Sequence, residues 1–227
     1  MKKLTLLVLS LIIVMTAQAQ FLIPKAGITL SKVDVEVSQG MKSRLGLMIG
    51  LGYNHPINEI LSFQPELSFV QKGYRQDYSM SDDDISIESK GKFIINFIEI
   101  PLQLKASFDA ASNLKVFLNA GPSIGIGLGG KYEADYTFSF MGDSESMSLD
   151  GKIKYGDSDD SDEETLFLDN RLELGLQIGG GVLIADKIMI DLRYSHGLTS
   201  MTKESDDTSK IKNRVIQFTV GYPIRLK

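Results

Sequence analysis

Arg44-Leu45-Gly46-Leu47-Met48-Ile49-Gly50-Leu51-Gly52-Tyr53 is the stretch on which the fold turns. Its odd positions, Leu45 to Tyr53, are large and apolar, and its even positions are mostly small or charged. A period of two suits a β-strand, whose successive side chains leave opposite faces, and does not suit a helix.

The alternation recurs along the chain. Leu61, Phe63, Leu67 and Phe69 stand against Ser62, Gln64, Glu66 and Ser68, and Ile98 to Phe108 repeats the pattern against Glu99, Gln103, Lys105 and Ser107. Further rows run over Leu114–Leu128, Leu172–Val182, Ile188–Tyr194 and Ile216–Ile224, with a shorter Ala26, Ile28, Leu30 row at the start. Eight strands of about ten residues match the span of a tilted transmembrane β-strand, roughly 9 to 11 residues, and are about twice a typical soluble strand. Three connections are tight, around His55–Glu59, Asp109–Asn113 and Ala185–Lys187, and the alternate ones are longer and polar. The expected fold is therefore all-β: an eight-stranded antiparallel up-and-down transmembrane β-barrel with short periplasmic turns and longer extracellular loops.

Charge placement says which face is wet. The centres of the apolar rows carry no charged residue, and a Lys or Arg there would cost about 2 to 4 kcal/mol at the bilayer midplane. On the alternate rows Glu66, Glu99, Glu173 and Asp191 stand against Arg44, Lys105, Arg193 and Arg225, and are expected to form lumen ion pairs. An eight-stranded barrel is filled by its own side chains, so these charges predict a plug and not a channel. Tyr53, Phe63, Phe108 and Tyr222 at the turn end, with Phe69, Tyr132 and Tyr194 at the loop end, are expected to form interfacial girdles. Pro65, Pro101, Pro122 and Pro223 interrupt proposed strands, where bulges are the expected accommodation.

Composition agrees with export and excludes several classes. The 227 residues include 24 Lys+Arg against 29 Asp+Glu, a net charge of −5 that argues against nucleic acid as a partner. With no Cys there is no disulfide frame and no thiolate metal site. Lys2 and Lys3, the apolar run Leu4–Met15 and Ala17-Gln18-Ala19 read as a signal peptide over residues 1–19, cleaved before Gln20 and leaving the barrel as residues 20–227.

Several segments in order give a resemblance. Lys25-Ala26-Gly27-Ile28, Phe63-Gln64-Pro65-Glu66-Leu67, Gln71-Lys72-Gly73, Ile98-Glu99-Ile100-Pro101-Leu102, Ala120-Gly121-Pro122, Asp191-Leu192-Arg193-Tyr194 and Gly221-Tyr222 together resemble the outer-membrane β-barrel family often called PorT-like. The chain departs from the aromatic finish usual in such barrels by running on through Pro223 to Lys227. The resemblance implies a location in the outer membrane, insertion by barrel-assembly machinery, contact with outer-membrane lipid and lipopolysaccharide, and a weak association with protein secretion.

Few residues suggest chemistry. Gly125-x-Gly127-x-Gly129-Gly130 lacks the following helix that a dinucleotide loop needs, so no cofactor is expected. His55 and His196 fall at opposite ends of the barrel and make no metal pair; His196 with Ser195 and Asp206 or Asp207 is a remote candidate triad. Between about residues 131 and 167 lies an acidic extracellular loop, expected to be disordered, with nine acids against two lysines from Met141 to Thr165. Asp157, Asp159, Asp160 and Asp162 are weak surface divalent-cation candidates, yet Asp162 stands where a calcium loop needs Gly and Leu168 where it needs Glu.

The expected role is non-enzymatic: structural, or docking an envelope partner through loops or turns. The competing expectation is a soluble periplasmic lipocalin-like barrel for an apolar ligand, which requires apolar residues inside and charges outside.

Overall fold

The structure, a computed structural model, describes residues 20–34, 40–82, 85–141, 143–156, 164–202 and 211–226. The signal-peptide reading of residues 1–19, the cation candidates Asp157, Asp159, Asp160 and Asp162, and Asp206 and Asp207 lie outside the described residues. Within them run β1 (Phe21–Asp34), β2 (Met41–Pro56), β3 (Leu61–Asp82), β4 (Ile85–Ala111), β5 (Leu114–Phe140), β6 (Asp143–Tyr155), β7 (Thr165–Leu168), β8 (Leu172–Ile184), β9 (Ile188–Gly197), β10 (Lys212–Gly221) and β11 (Ile224–Arg225).

Eight of these strands close a ring. Each of β1 to β5 pairs antiparallel with the next, then β5 with β8, β8 with β9 and β9 with β10. β10 returns to β1 in unbroken register from Lys25↔Gly221 to Asp34↔Lys212, which leaves the wall without an edge. Leu45, Leu47 and Ile49 point outward and are 61%, 61% and 60% exposed, while Glu66, Glu99 and Arg193 point inward and are at most 3% exposed. That sorting is the reverse of what the lipocalin-like alternative needs.

The prolines behave differently from expectation. The ladders carry register shifts at Ser43/Met48, Asn96/Phe97 and Asp109/Ala111, and none falls at a proline. Pro65, Pro101 and Pro122 each open a two-rung gap on the side where the donor is missing, and pairing resumes in the same register. On the β4–β5 side, for example, pairing passes from Pro101↔Ser123 to Leu104↔Ala120. A missing N–H removes a rung but does not add a residue, so inside and outside keep their phase. Pro223 instead ends β10, and β11 follows it to pair Ile224 with Leu22 at the start of β1.

Three wall strands are far longer than a membrane crossing requires: β3 has 22 residues, and β4 and β5 have 27 each. Their surplus continues past the barrel as a sheet, joined on the far side of β5 by β6 and then β7. The third connection is therefore a strand hairpin and not a long loop. Likewise much of the segment at about 131–167, expected to be disordered, is the upper half of β5 together with β6 and β7. The reason is cross-strand pairing: Tyr132 to Phe140 alternates polar and apolar, and β4 offers it a matching row from Ile85 to Phe93.

The bulge at Asn96/Phe97 sets the direction of that sheet. Leu128 is the extra residue, skipped between Asn96↔Gly129 and Phe97↔Gly127, and Gly129 beside it takes φ +106°, a backbone conformation that glycine adopts freely. The extra residue reverses the phase of β5, so Gly125 and Gly127 point inward below the bulge and Tyr132 points inward above it. Tyr132 thus joins an apolar cap over the mouth and not the outer girdle, whereas Phe108, Tyr194 and Tyr222 do lie on the outer face.

Candidate functional site

Strand alternation brings the inward rows into one polar network. Arg193 of β9 donates from Nη1 to Glu66 Oε2 at 3.0 Å and from Nη2 to Glu66 Oε1 at 3.1 Å, while Nη2 also reaches Asp191 Oδ2 at 2.5 Å. Lys25 pairs with the same Glu66 carboxylate. A second centre forms around Lys72, whose ammonium lies 2.5 Å from Glu173 Oε1 and 3.4 Å from Glu99 Oε1. Gln177 joins the two centres, donating to Glu99 Oε1 at 3.0 Å and accepting from Arg193 Nη1 at 3.2 Å. Burying such ions costs several kcal/mol each, and shared, hydrogen-bonded partners offset that cost.

Apolar groups close the lumen above and below. Val33, Ile95, Phe97, Ile153, Leu168 and Met201 pack at the loop end, with the Tyr155 ring lying where a Cβ on Gly127 would intrude at 2.1 Å. Ile23, Phe117 and Met189 pack at the turn end against Phe21 and Leu183. Charge network and two caps together occupy most of the narrow bore.

The sequence-derived charge set is only partly brought together. Glu66, Glu99, Glu173, Asp191 and Arg193 meet in the network. Arg225 does not: it sits exposed on β11, because Pro223 ends the wall strand before it. Arg44 points inward near the mouth, but its Nε and Nη1 have no partner among the described residues. Lys105 is buried, with its ammonium 4.1 Å above the Phe117 ring centroid and 3.6 Å from Met189 Sδ, and no carboxylate among the described residues makes an ion pair with it. Two members were missed, Lys25 and Lys72. Each lies on the continuation of an inward row: Lys25 one step before Gly27, and Lys72 two steps beyond Ser68 through Val70.

Outside the wall, the sheet of β3, β4, β5 and β6 is amphipathic. Its registers place Tyr78, Met80, Ile85, Ile87, Tyr136, Phe138, Phe140, Met147 and Leu149 on the face continuous with the lumen. Phe138 and Phe140 are each 47% exposed and Met147 is 56% exposed. Nearer the barrel this face is covered by its own aromatics, where Tyr74 stacks on Phe93 at 4.5 Å between centroids and Phe93 meets Tyr132 at 6.2 Å. Burial there pushes the Tyr74 phenol up to about 12.

The opposite face is polar and cross-linked. Lys92 meets Glu133 at 3.0 Å, Lys131 meets Glu133 at 3.1 Å, and Ser148 donates to Asp135 at 2.7 Å. Lys92 first, then Lys131, holds the Glu133 carboxyl below the usual range, and Lys42, at 2.7 Å, does the same to Asp77. The sequence reading missed this surface because the charges of one face hid the apolar row of the other.

The candidate triad does not form. Ser195 points into the lumen and His196 outward, as neighbours on one strand must, and the remaining member lies outside the described residues.

Residues 17–203 match a protein-family model described as outer membrane protein beta-barrel domain. No curated protein matches the sequence. Among solved structures, Ail, the attachment invasion locus protein of Yersinia pestis, is similar at 16% identity with a TM-score of 0.36, covering 92% of this chain and 100% of that one. Neisserial surface protein A is similar at 14% identity and TM-score 0.38, over 90% and 97% of the two chains. OprG of Pseudomonas aeruginosa is similar at 10% identity and TM-score 0.39, over 92% and 97%.

Proposed function

This chain belongs to the outer membrane protein beta-barrel domain family, and from that membership we propose that it is a non-enzymatic, non-conducting barrel that holds out an extracellular sheet for docking a protein of the cell envelope. The observation that carries this reading is the exposed apolar face of β3 to β6. Isolated apolar residues on a surface are ordinary, but a contiguous row across four strands with a fully polar reverse is the pattern of an interaction surface.

The partner's chemistry follows from the rim. Asp82, Asp143 and Glu145 lie at the outer end of the apolar face, so the complementary surface has an apolar centre and basic residues at one end. The outward rows of the wall contact outer-membrane lipid, and barrel-assembly machinery is the partner during insertion. The ordered motifs quoted above support grouping the chain with the PorT-like barrels.

Photo-crosslinking in intact cells tests the docking role. A crosslinker at Tyr136 or Met147 on the apolar face yields one discrete adduct, which disappears when Phe138→Glu is added. The same probe at Ser146 or Thr137 on the polar face does not yield it. Equal adducts from both faces, or adducts indifferent to Phe138→Glu, would overturn the proposal.

A further inference from the structure

The outer face of the wall carries a cationic collar at its loop end. Five strands that are neighbours in the ring, β10, β1, β2, β3 and β4, each present an outward cation above their last lipid-facing apolar residue: Arg214, Lys32, Lys42, Arg75 and Lys92. The ladders set these side by side, with Lys32 opposite Arg214 and with Lys42, Arg75 and Lys92 in one row. Like charges on facing positions repel, so such a row is unfavourable unless anions lie between its members.

The carboxylates on the same face leave the collar in surplus. Asp34 takes Arg214 at 2.7 Å, Asp77 takes Lys42 at 2.7 Å and Glu133 takes Lys92 at 3.0 Å. Lys32 and Arg75 are exposed and have no ion-pair partner among the described residues. Asp77 lies in the field of Lys42 foremost, then of Arg75 and Lys90, so the local potential stays positive around it. The turn end has no counterpart: among the described residues, Glu59, Asp109 and Asp186 there are matched by Lys115, Lys187 and Arg225.

The height of the collar points to its ligand. Lys32 and Arg214 stand two residues beyond Leu30 and Ile216, which are 44% and 46% exposed on the lipid face, and Arg75 stands six beyond Phe69. At about 3.3 Å per residue on strands tilted by about 40°, these steps rise roughly 5 and 15 Å above the apolar band. The polar layer of a phospholipid leaflet is only about 5 to 8 Å thick, so Lys32 meets its phosphates and Arg75 reaches a layer thickened by sugars. The forked guanidinium of Arg75 matches phosphate oxygens in shape as well as charge.

We propose that the collar binds a phosphorylated glycolipid of the outer leaflet, with its phosphates on Lys32 and on Arg75 between Lys42 and Lys92. This deepens the lipid contact proposed above for the outward rows, and it does not depend on the docking partner.

Native mass spectrometry of the intact barrel released from detergent micelles tests it, with diphosphoryl lipid A as the probe. Lipid A stays bound to the unaltered protein, and Lys32→Gln combined with Arg75→Gln weakens binding about tenfold or more. Arg75→Gln alone gives part of that loss, whereas Lys115→Gln combined with Lys187→Gln at the turn end gives none. Fully dephosphorylated lipid A binds at least about tenfold less well, and inorganic phosphate does not displace lipid A. Heat-dependent migration on SDS gels shows that each variant is a folded barrel. Equal retention of phosphatidylcholine by every variant reports the lipid-facing wall itself, so loss of the wall and loss of the collar are told apart. The proposal is overturned if lipid A does not bind, if the collar variants bind it as well as the unaltered protein, if the turn-end variant loses it equally, if the dephosphorylated form binds equally, or if inorganic phosphate displaces it.

Discussion

Arg193 and Glu66 meet through two nitrogens and two carboxylate oxygens, at 3.0 and 3.1 Å, from strands that stand four places apart in either direction around the ring. A single side-chain pair therefore spans the barrel's diameter. Antiparallel hydrogen bonding fixes each strand to its two neighbours, but only contacts such as this one tie opposite walls together.

Glu66→Ala leaves Arg193 and Lys25 without their shared acid, and removing one member of a buried pair costs about 3 to 5 kcal/mol. The barrel is expected to lose resistance to SDS at a markedly lower temperature. Glu66→Met combined with Arg193→Met removes the pair but leaves Lys25 and Asp191 as one buried cation and one buried anion, and is expected to recover part of that loss. The melting series is read by gel migration after heating to graded temperatures.

Among the described residues, the charge network at mid-lumen and the apolar caps at both ends obstruct the bore. Planar bilayers containing the purified protein are expected to show no stable unitary conductance. A reproducible step size would contradict the description of the lumen as closed.

The phase reversal in β5 depends on Gly129 at φ +106°. Gly129→Ala is expected to destabilise by about 1 to 2 kcal/mol, the usual cost of a left-handed conformation for an L-residue. The loss belongs to the extracellular sheet, because the wall below Gly127 pairs independently with β8. Hydrogen exchange checks this: amides of Tyr132–Phe140 lose protection while those of Val116–Ser123 keep theirs.

Asp77 is held by Lys42, so its carboxyl titrates below the ordinary value in the folded protein. The sign follows directly: the pairing contributes above the ordinary carboxylate value near 3.9 and vanishes as pH falls through the lower, folded value. Both groups are solvent-accessible, so the effect on stability is small. Carboxyl-carbon NMR is expected to give Asp77 a midpoint below the ordinary value, and Lys42→Met is expected to move it upward.

Legibility in the sequence follows from what a period of two can and cannot encode. The ring strands were readable because bilayer and lumen impose opposite demands on alternate residues, as in Leu45–Tyr53 and Leu172–Val182. The same logic exposed Glu66, Glu99, Glu173, Asp191 and Arg193. It overran at Arg225, where alternation continues past a proline that ends the strand, and fell short at Lys25 and Lys72, which sit at the margins of their rows. Which charges touch depends on the stagger of strands around the ring, and no single strand's sequence carries that information. The upper sheet was hidden for a different reason: away from the bilayer an apolar row is outnumbered by the charges on its reverse, although Tyr132, Tyr136, Phe138 and Phe140 keep the period throughout.

Because β3, β4 and β5 run unbroken from the turns to the top of the sheet, the protein has no swivel between its anchor and its display surface. The residues of β4 above the bulge, Ile85 to Asn96, extend on the order of 40 Å along the strand at about 3.3 Å per residue. Anything seated on Phe138 and Phe140 is therefore held at a set height and bearing relative to the membrane plane. A tilt of the barrel in a thinner or thicker bilayer would turn the cargo with it, as a mast turns with its hull.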